Sequence, residues 1–540
     1  MRTARPGTGA LIGVLFTVLL MSIMYLADQL AGLPFVPFLL FDWVTRVLPG
    51  PVVTFGIDTM ITLFRLLGIS VTDNAKLAEQ VIAVIQFLIL GVVISALFFA
   101  LVGRRKLPPD RTTGLVLGAL FGLPLIGITI ALSQNIGNPL VSLLWLVVIF
   151  LGWGLAESWS AAHLLPAGEQ PATAERAVEH LDRRRFLIRL GASTATITVA
   201  STGLGAVLAR NEQRRRAAAT EEMGHTGVAA DPRPFPNADA EVMPVPGTRP
   251  EYTPLKDHYK VFIRAEPTVI DGSTWTLPIT GMVDNPLQLS LEDLQNNYEP
   301  MNQYVTLRCI SGRIPTGLIS TTYWTGVSVQ RVLADAGVQA GAQYLHITSG
   351  DGYYETVDLD LINADERIMF CYAWDGNLLP VDHGFPLRIW IPDVYGMKQP
   401  KWITGVEVSS EYTPGYWVER GWSREAQVKM TSVIDTVAVD TLIEQGDRRL
   451  VPVGGIAYSG ARGISKVEVQ VDDGPWEEAQ LRPPLSGTTW VIWRYAWPFA
   501  EGRHTFAVRA YDGDGTLQIT EESPPRPDGA TGIHNEQATL

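Results

Sequence analysis

Cysteine is nearly absent from this chain, with two in 540 residues, so a disulfide framework has no support in its composition. Histidine is scarce too, at eight residues, and none lies inside an apolar run. That removes the usual means of holding haem between membrane helices, axial ligation by imidazole. Charged residues make up only 18% and the net charge is −13, which excludes nucleic-acid binding through a general basic surface.

What the chain has in excess is apolarity, 47% hydrophobic residues, gathered at the front. Apolar runs follow one another at Leu11–Leu26, Leu33–Leu48, Val52–Leu67, Val81–Val102, Leu115–Leu132, Leu140–Leu155 and Leu187–Leu208. Several approach the roughly 20 residues that a helix needs to cross a bilayer core. The second and third are shorter and carry Asp42, Arg46, Asp58 and Arg65, so residues 1–209 are expected to hold about six or seven transmembrane helices. The buried charges Asp42 and Arg46 read either as a quinone or ion site or as interfacial, paired residues.

Arg104, Arg105, Lys106 and Arg111 mark a cytoplasmic loop, and three further crossings place everything after about residue 210 outside. His163 and His180 then fall in a cytoplasmic loop, and Arg214, Arg215 and Arg216, beyond the last helix, weaken the orientation without reversing it. The segment DRRRFL, Asp182–Leu187, resembles a twin-arginine export signal at 183–187; an ordinary basic helix anchor is the other reading.

Residues 210–253, rich in Ala, Glu, Arg and Pro with little periodicity, read as a linker. From Tyr259 to about Val408, short strands such as TWTLPI and PLRIWIP alternate with helical stretches such as LSLEDLQNN, giving an α+β domain over 254–424. Strands alone follow over 425–525, with Asp-Gly turns and alternating polarity, as in an immunoglobulin-like β-sandwich; 526–540 reads as a flexible tail.

Cys309 ends a strand and opens the loop CISGRIPTG. A thiol there is either a small buried hydrophobe or a reactive ligand. Around it the chain carries YKVFIRAEP (259–267), WTLPITGMVDNPLQLSLEDL (275–294), LRCISG with YWTGVSVQRVLADAGV, DHGFPLRIWIPDVYGMKQPKWITGVEV (382–408) and GGIAYSGARGISKVEVQVDDGPWEEA. In these motifs and their order the exported region resembles the sulfite-oxidase superfamily of molybdopterin enzymes. The resemblance implies a molybdenum–molybdopterin cofactor with Cys309 as the protein's ligand to the metal. It implies cofactor contacts from His383, Arg388, Lys398 and Lys401, and substrate-orienting cations at Arg264 and Arg313. Arginine suits phosphate by bidentate pairing and lysine by point charge. Cys371 matches no motif and reads as a buried strand residue.

Two positions depart from the pattern. Where sulfite oxidases carry Asn and two arginines after the cysteine, this chain has Gly312, Arg313 and Ile314. At the place of their active-site tyrosine it has Trp422, with Tyr412 and Tyr416 nearby, and an indole has no phenolic proton to give. The expectation is a membrane-anchored oxidoreductase performing two-electron oxygen-atom transfer on a small oxyanion or sulfoxide. Its electrons would pass to or from a separate carrier, a cytochrome or quinone system, and the sandwich would mediate a homodimer as in some relatives. The alternative is a cofactor-less binding or assembly module on a membrane anchor.

Overall fold

The computed structural model describes residues 6–49, 71–104, 106–132, 139–164, 185–209 and 234–540, together with 52, 55, 56 and 59. The double arginine at 183–184, the basic cluster at 214–216, His180 and most of the third apolar run lie outside the described residues. Two compact units emerge: Met1–Val53, Asn74–Ala219 and Arg264–Glu266 form the first, and Thr54–Asp73, Thr220–Ile263 and Pro267–Leu540 the second.

In the first unit, among the described residues, five helices are long and apolar enough to cross a membrane: Gly7–Ala31, Lys76–Gly103, Arg111–Leu132, Pro139–Leu164 and Arg185–Ala209. The expected second span is a helix of 12 residues, Val36–Val47, too short to cross a hydrocarbon core. His163 lies in the last turn of its helix rather than in a loop. Glycine spacing explains one close pairing: a Cβ on Gly118 would sit 2.5 Å from the Phe150 carbonyl oxygen, and one on Gly154 would sit 2.3 Å from that of Gly114. Without a hydrophobic driving force between helices in lipid, such backbone approach supplies the packing energy. Outward faces stay apolar, with Leu120, Val148 and Val199 exposed.

The second unit begins with the α+β domain. One sheet orders β2 (Leu287–Ser290), β1 (Thr276–Gly281), β10 (Ile403–Ser409), β5 (Tyr344–Ser349) and β6 (Tyr354–Asp358), with β1 and β10 parallel. The other orders β3 (Met301–Arg308), β4 (Ile319–Ser328), β7 (Met369–Trp374) and β8 (Asn377–Leu378), with β9 (Arg388–Trp390) on β7. The local chemistry matches the sequence: helix Leu291–Asn297 starts with a Ser290–Asp293 capping box, and helix Val329–Ala336 ends on left-handed Gly337. One core built from both sheets, with Leu277, Ile279, Val327, Ile347 and Phe370, holds them together.

Two further antiparallel sheets make up the C-terminal part, from β11 (Thr431–Val437), β12 (Ile443–Gln445), β13 (Arg448–Tyr458), β14 (Ile464–Val471), β15 (Glu477–Glu478), β16 (Gln480–Leu481), β17 (Val491–Pro498), β18 (Arg503–Asp512) and β19 (His534–Thr539). One orders β11-β13-β17-β16 and the other β15-β14-β18-β19, and they share a core of Ile434, Val453, Val467, Trp493, Phe506 and Val508. Two expectations need correcting. The C-terminal segment read as a flexible tail supplies β19, which pairs with β18 from Arg503↔Thr539 to Val508↔His534. Residues 234–253, read as linker, are tied to the β-rich part: buried Arg482 donates to the Asn237 and Val242 carbonyls and pairs with Glu251 at 3.0 Å, while Arg249 chelates Asp435. Low periodicity concealed these ties because they are polar and join residues more than 180 positions apart.

Candidate active site

Strand β3 delivers Cys309 at its end, where the backbone N–H of Cys309 donates to the Leu318 carbonyl across the loop. The side chain is buried, with Sγ 3.0 Å from Ser311 Oγ. Burial pushes the thiol's pKa up, an effect opposed by Ser311 and by the Arg308 charge. The bare thiol therefore keeps its proton, and coordination to a metal is what would displace it. Cys371 is fully buried on β7, and both cysteines are free thiols.

Burial and electrostatics tie Cys309 to a group of side chains from distant segments. Tyr259 is buried; burial and then the Cys309 charge raise its phenol well above the usual range, and it also feels Arg388 and Arg308. Its ring stacks on His258 at 5.3 Å, and His258 meets His383 edge-on at 5.0 Å, with Trp374 within 4.7 Å of both. Arg388 enters from β9, donates to the His383 carbonyl at 3.1 Å and lies with its guanidinium carbon 4.3 Å from the centre of the Trp324 ring. Lys401 Nζ donates to the Asp382 carbonyl and sits 4.7 Å from the Trp402 ring. Gly384 makes this convergence fit: its φ is +114°, and a Cβ there would lie 3.0 Å from Cβ of Lys401 and 3.2 Å from Cβ of Arg388.

The decisive feature is unmet hydrogen bonding. His258 Nε2, Arg308 Nε and Nη2, His383 Nε2 and Arg388 Nε are all buried and have no hydrogen-bond partner among the described residues, the Asp382 carboxylate lying 3.9 Å from His383 Nε2. Their residues are at most 3% exposed. Buried polar groups of this kind are normally satisfied, because each orphan costs about 1–3 kcal/mol. Five such atoms grouped with a buried thiol fit a polar, anionic, nitrogen-rich group such as molybdopterin phosphate and pterin. His258 Nδ1 is 3.0 Å from the Tyr259 carbonyl oxygen and must donate to it, which leaves Nε2 of the neutral ring as an acceptor.

Neutral imidazoles carry a pH signature. Burial pulls the pKa of His258 from 6.5 down to about 3 and that of His383 well below 6.5. For a depressed base the unfolded chain binds protons that the folded chain refuses, so stability is present above about pH 6.5 and is lost as pH falls. Denaturant titration of cofactor-free protein between pH 7 and 4 is expected to show a loss of about 1.4 kcal/mol per pH unit for each imidazole. A flat profile would mean that both rings are ion-paired.

The resemblance-based assignments divide. Cys309, His383, Arg388 and Lys401 belong to the group just described. Lys398 is buried with Nζ 2.7 Å from Glu355 Oε1 and 3.1 Å from the Thr356 carbonyl oxygen, so its ammonium serves an internal ion pair. Arg313 is exposed on the loop after Cys309. Arg264 falls in the helical unit, its Nε 3.5 Å from Asp42 Oδ2, while Ala265 N–H donates to Asp42 Oδ1. Sequence reasoning missed His258, Tyr259 and Arg308. His258 immediately precedes and Tyr259 opens the YKVFIRAEP motif, and Arg308 immediately precedes Cys309; adjacency was the only signal they offered.

Comparison with known proteins places the chain in a family. Residues 264–417 match the family described as oxidoreductase molybdopterin binding domain. Mouse mitochondrial sulfite oxidase is 28% identical over 272 residues, 42% of this chain and 49% of that protein. A nitrate reductase of Hordeum vulgare is 27% identical over 320 residues, 48% of this chain and 36% of that protein. The uncharacterized oxidoreductase YuiH of Bacillus subtilis is 32% identical over 154 residues, 28% of this chain and 74% of that protein. The chain spans half or less of the length of the mouse and barley relatives. Fold, site and matches define one class, the molybdopterin-binding oxidoreductases of sulfite oxidase type. This chain belongs to that family, and its cofactor is molybdenum–molybdopterin.

Proposed function

We propose that the chain is a membrane-anchored oxidoreductase that carries out two-electron oxygen-atom transfer on a small oxyanion or sulfoxide at the Cys309 site, on the extracytoplasmic side. The observation that carries this reading is the set of five orphaned nitrogens beside a buried thiol. Molybdenum, when bound, supplies the oxygen-atom and electron chemistry. The chain's residues do the holding: the Cys309 thiolate ligates, Arg388 and Lys401 offset anionic charge, and His258 accepts while His383 Nε2 completes the polar lining. Tyr259 and the Trp324 and Trp374 rings keep water from the cavity wall, which strengthens every polar contact there.

Substrate charge falls to Arg308. Arg264 is engaged by Asp42 and Arg313 is exposed, whereas the Arg308 guanidinium, buried beside Cys309, spends only Nη1, on the Lys429 carbonyl. Its Nε and Nη2 form the edge that pairs bidentately with an oxyanion. Trp422, packed with Ile314 and Trp417 around the core of Ile310 and Tyr395, stands where sulfite oxidases carry a tyrosine; that departure argues against sulfite and leaves sulfoxide as the alternative. A separate cytochrome or quinone carries the electrons. The two-sheet C-terminal part acts as an immunoglobulin-like dimerisation module, and the arginines at 183–185 support export of the folded domain.

Protein expressed where the cofactor is made is expected to contain about one molybdenum and one pterin per chain. Reduced-dye assays with sulfoxides should exceed ferricyanide-linked sulfite oxidation by at least about tenfold, or about 1.4 kcal/mol of barrier. Absence of molybdenum would refute the enzyme reading, and the reverse ratio would assign sulfite.

A further inference from the structure

The helical unit contains one buried acid that anchoring does not require. Glu157, in helix Pro139–Leu164, is 0% exposed. Its Oε2 lies 2.7 Å from Ser95 Oγ, and that same hydroxyl lies 2.8 Å from the Gly9 carbonyl oxygen. A serine hydroxyl has one proton, while both of these neighbours are acceptors if Glu157 is ionised. Two short contacts then leave one of them without a hydrogen. The count closes only if the carboxyl carries the second proton, donating to Ser95 Oγ while Ser95 donates to Gly9.

The surroundings agree. The helices packed around Glu157 carry charged residues toward their ends, Asp28, Lys76, Glu79 and Arg111, and among the described residues none pairs with Glu157. Oε1 has no partner among the described residues, nor do Trp153 Nε1 and Ser160 Oγ, one turn to either side on the same helix face. Thr17 Oγ1, on the helix that provides Gly9, is likewise buried and unpartnered among the described residues. Close packing locks the arrangement, since a Cβ on Gly13 would lie 2.7 Å from Cβ of Ser95. An ionisable residue facing a bundle interior marks a functional position by default.

We infer that Glu157 is a proton-binding site of the membrane unit, held as the neutral acid by the Ser95–Gly9 relay with its second oxygen open to a further partner. The helices then do more than anchor the oxidoreductase, because they store a proton within the apolar layer. This stands independently of the substrate reading above.

The test uses full-length protein in lipid nanodiscs. Infrared spectra at pH 8 are expected to show a protonated-carboxyl carbonyl band that Glu157→Gln removes and Ser95→Ala shifts, since the acid loses its acceptor. Glu157→Gln, which keeps the shape and donor of the neutral acid, should leave the melting temperature and molybdenum content unchanged. A band that survives Glu157→Gln overturns the inference. So does failure of that variant to fold, because a neutral isostere would disrupt only a site built for a carboxylate.

Discussion

Replacing Cys309 with serine is expected to abolish molybdenum-dependent turnover and leave the fold nearly untouched. The hydroxyl fits the space of the thiol and retains Ser311 as a partner at 3.0 Å. The structural cost is therefore about 1 kcal/mol, or a melting shift of about 2–4 °C. The chemical cost is total, because a hard hydroxyl that keeps its proton replaces a soft thiolate donor. Metal analysis, a steady-state assay and a thermal melt on the same preparation separate the two. Wild-type turnover in the variant would remove Cys309 from the metal, and loss of folding would return it to the role of a core hydrophobe.

Lys398→Met is expected to produce the opposite pattern, a large loss of stability. Lys398 and Glu355 are both buried and pair at 2.7 Å, with the Glu355 carboxylate also accepting from Thr356 N–H. Removing the ammonium strands a buried acid, which costs about 3–5 kcal/mol. The pH dependence follows from Glu355, whose pKa burial raises even with Lys398 opposing. A raised acid is favoured in the folded state when protonated, so its stability contribution is present below the unfolded value and is lost as pH rises through the folded one. Without Lys398 that rise grows, and the destabilisation should be larger at pH 8 than at pH 5. Denaturant midpoints at the two pH values measure it. A variant that melts normally but lacks pterin would instead restore Lys398 to cofactor binding.

The residues that converge around Cys309 were partly legible because several stand in local motifs. Cys309 stands in LRCISG, and His383, Arg388 and Lys401 lie within a stretch of 19 residues whose turn at Gly384 brings them together. Strand and helix alternation, the capping box at Ser290 and the front-loaded apolar runs likewise need only neighbours in sequence to be read. Lys398 shows the limit of motif transfer. It sits between Arg388 and Lys401, which converge at Gly384, yet its ammonium turns to Glu355, a partner on β6 that nothing in the motif announces.

By itself the sequence determined an apolar helical front, an α+β domain and a β-rich end, because hydrophobic period and length dictate element type without reference to distant residues, and its motifs carried the resemblance to molybdopterin enzymes. Only the tertiary structure showed that Arg264 is engaged by Asp42 and that Arg308 is buried with two nitrogens lacking hydrogen-bond partners among the described residues. It alone converted an apparent linker into a bound segment and exposed the proton count at Glu157. The physical reason is common to all of these. A charge or hydroxyl buried in protein is defined by the partner that satisfies it, and here those partners lie from 62 to more than 200 residues away in the chain.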